Sequence, residues 1–377
     1  MEFLGKSRDE LRAYFAALGE PKYRADQTYH ALYAERKFAF AEISNLPKTL
    51  REKLQREAAI TLPTVRQRYV SSDGSVRYLL GLPAAGEKRK IPASVEAVFM
   101  PSDGRQTICI STQAGCAVDC QFCLTAQLGL IRNLTAGEIV AQVLLPLVEM
   151  SGSGTTAGAK SGEHNTEPAG RAGLAGQTNV VLMGQGEPLL NYENVMAALR
   201  ILLDPEGVGL SPKHVTLSTS GIVPGIERMA AEVVRPKLAI SLNASCDEQR
   251  DVLMPINRKY PLKVLLDACR CYPLRTWEHI TFEYVMLGGV NDAADDARRV
   301  VKLLAPLKSV KVNLIPWNPG ELPYKESSAA AIEEFRRILV DKRIAAFVRY
   351  SRGRDVMAAC GQLALKEVQN SPLPILN

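Results

Sequence analysis

The stretch NVVLMGQGEPLLNYENVMAALRILL, residues 179–203, contains the repeating unit on which the fold is built. Its first part, NVVLMG, is a short apolar run that predicts a buried β-strand. The second part, NYENVMAALRILL, places apolar residues at helical spacing. Between them, the glycines and proline of GQGEP mark a loop. The stretch therefore predicts one strand–loop–helix unit.

Further strand–helix units follow toward the carboxyl end of the chain. A parallel sheet with right-handed crossovers is the usual product of such repeats. Polar residues close several of the strands, which favours a closed or partial barrel over an open doubly wound sheet. No glycine-rich dinucleotide fingerprint follows a strand. The predicted strands are HVTLSTSG, KLAISLN, ITFEYVML, KVNLIPWN and a last AAFVRYSRG, and the predicted helices are GIERMAAEVV, PLKVLLDACRCYP, AADDARRVVKLLAPL and AIEEFRRILVDK.

The first 100 residues differ from this pattern. Residues 8–59 predict three short helices; Ser7 and Glu10 have capping-box spacing before the first, and Asn45 can cap the third, with Pro47 in its first turn. Alternating runs then predict strands leading into the larger domain. We predict a basic helical domain (1–60), a β extension (61–100), a barrel (101–350) with a flexible insertion (151–177), and a C-terminal segment (351–377).

Composition and charge limit the class of protein. The chain has 377 residues, 46% of them hydrophobic and 23% charged, as in globular proteins. Residues 1–100 hold 17 Lys and Arg against 12 Asp and Glu, so +5 of the net +6 lies there. This indicates either an RNA partner or an ordinary solvated surface. The N-terminus is no signal peptide and no apolar run could span a membrane, so we expect a cytoplasmic protein.

Four of the eight cysteines lie within CISTQAGCAVDCQFC, residues 109–123. In the cytosol such clustering indicates metal binding or catalysis rather than disulfides. Cys116, Cys120 and Cys123 have C-x3-C-x2-C spacing, which suits one face of an iron–sulfur cluster with one iron left open. Zinc, with Cys109 as fourth ligand, is the alternative. Zinc ribbons usually have two separated pairs, however, and the compact triplet favours the cluster.

Motifs along nearly the whole chain resemble the radical S-adenosylmethionine (SAM) RNA methyltransferases of the RlmN/Cfr family, and the RlmN type most closely. The insertion 151–177 and Gln185, where Met is more usual, depart from the family pattern, but neither changes a chemical group. The matching motifs are GEPKYRADQTYHALY, NLPKTLREKL, GCAVDCQFC, GQGEPLLNYENV, VTLSTSGIVPGI, AISLNA, PINRKYPL, NLIPWNP and VRYSRGRDVMAACGQL.

The resemblance implies the fold and the cofactors. The fold class is α/β, a partial (β/α)6 radical-SAM barrel with a small N-terminal helical domain and a short β extension. One [4Fe-4S] cluster would be held by Cys116, Cys120 and Cys123, and two SAM molecules would be used per turnover. Phe122 is the aromatic residue expected in the cysteine motif. The SAM contacts carried over by motif are Gly186, Glu187, Ser218, Ser241, Leu242, Asn243 and Asn318.

The resemblance also implies three catalytic residues. Cys360 would carry a methyl group as S-methylcysteine, Glu96 would accept the ring proton, and Cys109 would form a transient disulfide with Cys360. From the residues alone, Cys109 could equally be a core cysteine, and Cys360, before Gly361, a small residue at a helix end or turn. A carboxylate within VEAVF needs a partner or a task, and burial would raise its pKa. Cys246, Cys269 and Cys271 are interpreted as structural.

The implied reaction is methylation of carbon 2 of adenosine 2503 in 23S rRNA and of adenosine 37 in tRNAs. Two alternatives stay open: methylation of carbon 8 of the same rRNA adenosine, as in the Cfr type, and a zinc-stabilised RNA-binding protein without catalysis. The implied partners are 23S rRNA, tRNA and an electron donor such as flavodoxin or ferredoxin. A monomer is the default state for an enzyme that must enter folded RNA.

Overall fold

The computed structural model describes residues 1–83, 93–102, 104–152 and 178–365, without the side chains of 151 and 152. The predicted insertion, part of the β extension and the last twelve residues therefore lie wholly or largely outside the described residues. One ten-stranded sheet has the order β1-β2-β3-β4-β7-β8-β9-β10-β11-β12. Its strands are β1 (Thr64–Val70), β2 (Val76–Leu82), β3 (Ala93–Ser102), β4 (Arg105–Cys109), β7 (Thr178–Leu182), β8 (Val215–Thr219), β9 (Lys237–Ser241), β10 (Ile280–Met286), β11 (Val310–Pro316) and β12 (Ala345–Val348).

The parallel part of the sheet confirms the predicted strand–helix repeats. From β4 to β12 every neighbouring pair of strands is parallel, and at least one helix follows each strand from β4 to β11. This makes six strand–helix units, as a partial (β/α)6 barrel requires. The helices are α5 (Ala136–Gly152), α6 (Tyr192–Leu203), α7 (Val223–Ala230), α8 (Asp247–Leu253), α9 (Leu262–Cys271), α10 (Ala294–Leu304) and α11 (Ala329–Asp341).

The β extension continues the same sheet. Strands β1 to β4 pair with antiparallel neighbours, and β4 also pairs in parallel with β7. Beyond β4 the chain forms a hairpin, β5 (Gln113–Gly115) with β6 (Leu130–Asn133). The cysteine triplet and the short helix α4 (Leu124–Gln127) lie within that hairpin. The extension and the cysteine loop are thus both attached to the first barrel strand.

Three helices precede the sheet: α1 (Arg8–Ala17), α2 (Lys22–Tyr33) and α3 (Lys48–Glu57). The predicted capping box at α1 is confirmed, since Ser7 and Glu10 accept hydrogen bonds from each other's backbone N–H groups. The prediction of Asn45 as the cap of α3 is wrong. Pro47 occupies the cap position in an extended conformation, and the helix begins at Lys48. A proline ring fixes its own φ and leaves no side-chain acceptor for a cap.

The N-terminal helices share one apolar core with the barrel. Phe3, Phe15 and Tyr33 belong to the same buried cluster as the barrel strands and helices. Polar contacts add to this: Arg8 forms a 2.9 Å ion pair with Asp204 after α6, and Tyr29 donates to the same carboxylate at 3.1 Å. None of the described helices has both the length and the apolar character needed to cross a membrane.

Candidate active site

A cavity lies at the carboxyl ends of the parallel strands, with about 960 Å³ of empty space including its open mouth. This is the edge at which barrel enzymes bind their ligands. Leu242, Cys109 and Glu96 are not among its described lining residues. Of the predicted site residues, those that line it are Cys116, Cys120, Cys123, Gly186, Glu187, Ser218, Ser241, Asn243, Asn318 and Cys360.

The three clustered cysteines form one wall of this cavity. Each is partly exposed and free of disulfides. Two backbone hydrogen bonds shape their loop. The Cys116 N–H donates to the Gly129 carbonyl at 3.0 Å, and the Cys123 N–H donates to the Cys120 carbonyl at 3.1 Å. Burial raises the pKa of each thiol, that of Cys116 to about 12, and negative charge on Cys116 and Cys123 raises the pKa of Cys120 further. Three thiolates so close together need a cationic partner.

The donor set of this wall fits an iron–sulfur cluster. Thiolates are the usual ligands of such clusters, and each binds a different iron, so the sulfur atoms need not converge on one point. In the described parts of the chain, no group of three or more His, Cys, Asp or Glu side chains is arranged to hold a metal ion. The three thiols on one cavity wall can each supply a ligand to a different iron of a cluster.

Gly186 and Glu187 lie where the loop after β7 meets the cavity. Gly186 has a φ of +96°, and a Cβ there would come within 2.5 Å of the Cβ of Gln113, so both conformation and space require glycine. The Glu187 carboxylate accepts four hydrogen bonds, from Leu189, from Thr219 and twice from Ser220. A ligand amino group would therefore have to displace a rotatable hydroxyl donor. The predicted contact stays a prediction.

Glu283 on β10 is a site residue that the sequence analysis missed. It lines the cavity, and the hydroxyl of Ser218 donates to it at 3.0 Å. Because a hydroxyl has one hydrogen, Ser218, which donates to Glu283, can only accept a hydrogen bond from a ligand. The Ser241 hydroxyl, whose oxygen is 3.5 Å from that of Ser218, would donate to Ser218. Burial is the main cause that raises the pKa of Glu283. The sequence signal that could have found Glu283 is a carboxylate within an apolar strand, the same signal that pointed to Glu96.

The other predicted cofactor contacts are fixed by the backbone around them. Asn243 has a φ of +55°, and its amide oxygen accepts from the Val285 N–H at 2.9 Å. Asn318 donates to Ser351 at 2.9 Å and to the Cys360 carbonyl at 3.2 Å, which leaves its amide oxygen as acceptor. Leu242 is fully buried in the core, so any contact with a ligand would have to come from its backbone.

Cys360 lies in a turn that is fastened over the cavity. It is exposed, as its position before Gly361 suggested, and it lines the cavity from the C-terminal segment. The carbonyl of Gly361 accepts from the Leu124 N–H at 2.8 Å, and that of Leu363 accepts from Thr125 at 2.6 Å. Protein atoms around the sulfur nevertheless desolvate it, and this burial raises the pKa of Cys360 to about 12. The fold thus brings Cys360 to the same cavity as the cysteine triplet.

Cys109 lies behind the cavity wall, close to Cys360. It is buried in an apolar cluster with Val356, Ala358 and Leu363 of the C-terminal segment. Burial raises the pKa of the Cys109 thiol, and negative charge on Cys360 raises it further. Both thiols are free. The structure therefore brings together two cysteines that are distant in sequence.

Glu96 is fully buried on β3, where it forms an ion pair with Arg77 of β2. Its carboxylate also accepts from the backbone N–H of Leu365 at 3.0 Å. Burial raises the pKa of Glu96, although the charge of Arg77 acts in the opposite direction. The carboxylate thus has the partner that its apolar surroundings require, and it anchors the segment that carries Cys360. Its role as proton acceptor stays a prediction.

Replacing Arg77 by Met should destabilise the protein by about 3–5 kcal/mol, because it leaves the buried Glu96 charge without its partner. The double variant Arg77→Met/Glu96→Met should recover at least half of this loss. Urea unfolding curves give the comparison. The exposed Arg200–Glu232 pair is the control, since Arg200→Met should cost less than about 1 kcal/mol. If Arg77→Met and Arg200→Met lowered the free energy of unfolding by the same amount, the buried pair would have no special importance for stability.

Comparison with known proteins places these features in a family. A model described as the ribosomal RNA large subunit methyltransferase N-terminal domain matches residues 1–60, and one of the radical SAM superfamily matches residues 167–304. The chain is 46% identical, over 93% of its length and 98% of the relative's, to a probable dual-specificity RNA methyltransferase RlmN from Koribacter versatilis. It is 43% identical to the dual-specificity RNA methyltransferase RlmN of Geobacter sulfurreducens, over 96% of this chain and 92% of that relative.

A solved structure shows the same architecture. The crystal structure of a radical SAM methyltransferase from Sphaerobacter thermophilus superimposes with a TM-score of 0.84 at 40% sequence identity. The match covers 96% of this chain and 99% of that one. The agreement therefore includes the N-terminal helices as well as the barrel.

Proposed function

The chain belongs to the RlmN family of radical SAM RNA methyltransferases, and on that premise we propose that it methylates carbon 2 of adenosine 2503 in 23S rRNA and of adenosine 37 in tRNAs. The family uses a [4Fe-4S] cluster and SAM, so the chain is a SAM-dependent enzyme and not a zinc protein without catalysis. The observation that carries the proposal is the placement of Cys360 at the cavity that also presents the cysteine triplet.

The cofactor residues have distinct tasks in this proposal. Cys116, Cys120 and Cys123 hold the cluster, and the strand ends with Ser218, Ser241 and Asn243 hold SAM, together with Gly186, Glu187, Leu242 and Asn318. When bound, the cluster and SAM would supply the radical chemistry that removes one hydrogen atom from the Cys360 methyl group and an acceptor for the electron that the ring releases on regaining aromaticity. Carbon 2 of adenine is electron-poor, so a carbon radical can add to it where direct displacement on SAM cannot.

Cys360 connects the two stages of the reaction. Its sulfur first loses the thiol proton and accepts a methyl group from one SAM, which would leave as S-adenosylhomocysteine. The methylene carbon later bonds to carbon 2 of the adenine. Cys109 then attacks the Cys360 sulfur, which breaks the bond from that sulfur to the methylene carbon and forms a disulfide. The released carbon takes up a proton to become the methyl group. A thiol reductant must return two electrons to the disulfide before the next turnover.

Glu96 takes the proton from carbon 2 in this scheme. Its raised pKa supports such a role, because a base with a pKa nearer neutrality transfers protons more effectively. The carboxylate is occupied by Arg77 and by the Leu365 N–H. The proposal therefore requires residues beyond Gly361 to leave Glu96 when the RNA base enters. Arg77 stays to hold the carboxylate in place.

RNA binding is assigned to the basic N-terminal domain, residues 1–60, which the barrel positions through Asp204. An electron donor such as flavodoxin or ferredoxin would reduce the cluster, and the protein would act as a cytoplasmic monomer.

Nucleoside mass spectrometry tests the proposed position of methylation. Ribosomal RNA and tRNA from a strain lacking the gene should contain no 2-methyladenosine at the two target positions, and complementation with the wild-type gene should restore it. Nuclease fragments containing each target adenosine separate the two RNA substrates. Recovery of 8-methyladenosine would instead establish the Cfr-type reaction and overturn the proposal. Recovery in rRNA alone would overturn its tRNA part.

A further inference from the structure

Arg250 on α8 is a fully buried arginine whose guanidinium, among the described residues, hydrogen-bonds to neutral oxygen atoms. It donates to the carbonyls of Leu242 at 3.1 Å, Ser241 at 3.1 Å and Ser220 at 2.6 Å, and to the side-chain oxygen of Asn257 at 3.0 Å. Buried charges are normally paired with an opposite charge, because desolvation is costly. A positive charge that is buried here without a hydrogen-bonded anionic partner therefore indicates that the Arg250 guanidinium has a specific role.

The first part of that role is structural. Ser220 follows β8, Ser241 ends β9 and Leu242 follows it, so one guanidinium joins the carboxyl ends of two neighbouring strands. These are the strand ends from which Ser218 and Ser241 reach the cavity. Arginine suits this role because its planar fork holds donors on three nitrogen atoms in a fixed geometry, whereas lysine offers three donors from a single nitrogen.

The amide that holds the guanidinium is itself held by acidic groups. Asn257 donates to Asp247 at 2.9 Å and to Asp251 at 2.7 Å. These bonds use the amide hydrogens, so the Asn257 oxygen must face Arg250. The guanidinium thus has a single orientation, set by residues of α8 and of the short turn that follows it.

The second part of the role is electrostatic. Burial lowers the pKa of Arg250, and Cys120 is the strongest of the charges that oppose this effect. A guanidinium whose pKa is about 10 is still charged at neutral pH. The end of α8 also contacts the cysteine loop directly, since the Gln121 N–H donates to the Leu253 carbonyl at 3.0 Å. Arg250 therefore lies on the helix whose last residue contacts the cysteine loop.

We infer that Arg250 is a positioning residue with two effects: it holds the two SAM-binding strand ends in register, and its charge raises the reduction potential of the cluster bound at Cys120. Adding an electron makes a cluster more negative, so a nearby fixed positive charge stabilises the reduced form. The inference rests on the proposed function, because it takes Cys120 as a cluster ligand and the two strand ends as the SAM site.

Two substitutions separate the two effects. Arg250→Gln keeps a hydrogen-bond donor and removes the charge, whereas Arg250→Lys keeps the charge and removes the fork. Arg235→Gln is the matched control. Arg235 is equally buried, hydrogen-bonded to Glu278 at 3.0 Å, and precedes β9 at the end of the strand opposite to the cavity. Each protein is reconstituted anaerobically with iron and sulfide, and its iron content and thermal unfolding are recorded.

The measurements are the midpoint potential of the cluster, from an electron paramagnetic resonance titration, and the dissociation constant of SAM, from equilibrium dialysis. For Arg250→Gln we expect a more negative potential and about tenfold weaker SAM binding, the equivalent of about one charged hydrogen bond. Arg250→Lys should keep the wild-type potential and show the weaker SAM binding. Arg235→Gln should change neither quantity, whatever it does to stability.

The outcomes separate this inference from the proposed function. Wild-type potential in Arg250→Gln would overturn the electrostatic part, and wild-type SAM affinity in Arg250→Lys would overturn the positioning part. If Arg250→Gln folds but does not retain iron while Arg250→Lys does, the result would support the electrostatic part, because only the variant with the positive charge would hold the cluster. A wild-type protein that assembles no cluster would count against the assignment of Cys116, Cys120 and Cys123 instead.

Discussion

Replacement of Cys360 by alanine is expected to abolish RNA methylation completely while SAM binding is retained. The proposed reaction passes every transferred carbon through this sulfur, and none of the other described cysteines that line the cavity lies on the C-terminal segment. Alanine and serine variants should behave alike, because neither can carry the methyl group as a thioether. Methyl incorporation from labelled SAM into rRNA fragments measures the product, and equilibrium dialysis measures SAM binding.

Cys271 gives the control for this experiment. It is an exposed cysteine at the end of α9, so Cys271→Ala removes an accessible thiol without touching the cavity and should keep wild-type activity. The C-terminal turn is fastened by backbone groups of Gly361 and Leu363, and the Cys360 side chain contributes nothing to those bonds. Product formation by Cys360→Ala above the background without enzyme would contradict the proposed methyl carrier.

Replacement of Cys109 by alanine is expected to trap the protein covalently on RNA. The Cys109 thiol is the group proposed to break the bond between the Cys360 sulfur and the methylene carbon. Without it, the reaction should stop at the RNA adduct and release little methylated product. The adduct appears as a slowly migrating band on a denaturing gel, which nuclease digestion removes. Methyl transfer to Cys360 itself, measured by peptide mass spectrometry, should be unaffected.

Cys269 is the matched control, because it is also buried but lines a separate pocket with Arg270 and Tyr272. Cys269→Ala leaves a similarly small space in the core and should turn over without forming an adduct. Normal turnover by Cys109→Ala would show that another group releases the product. An adduct in the Cys269 variant would show that loss of packing, rather than loss of the resolving thiol, causes the arrest.

Most of the fold could be predicted because its elements have strong local signals. The strands of the barrel are short apolar runs and its helices have one apolar face, and both patterns are set by residues adjacent in sequence. The error at α3 also has a local cause. Asn45 and Pro47 are both acceptable near a helix start, and only the extended conformation of Pro47 decided between them.

The candidate site likewise contains residues that the local sequence predicts and residues that depend on the fold. The cysteine triplet could be read from spacing, since its members lie within one loop. Arg77 as partner of Glu96 could not, because the contact depends on the register in which β2 and β3 pair. Arg250 was missed because its sequence position on a charged helix indicates exposure, whereas the fold turns it inward toward three carbonyls.

The sequence by itself determined the strand–helix repeat, the helical N-terminal region and the compact thiol triplet, because each is encoded over a few neighbouring residues. Only the tertiary structure decided that Cys109 packs against the segment that carries Cys360, that Glu96 is paired with Arg77, and that Arg250 spans two strand ends. The physical reason is that such contacts depend on which strands pair and how the terminal segment packs. These choices are made by burial of the whole core.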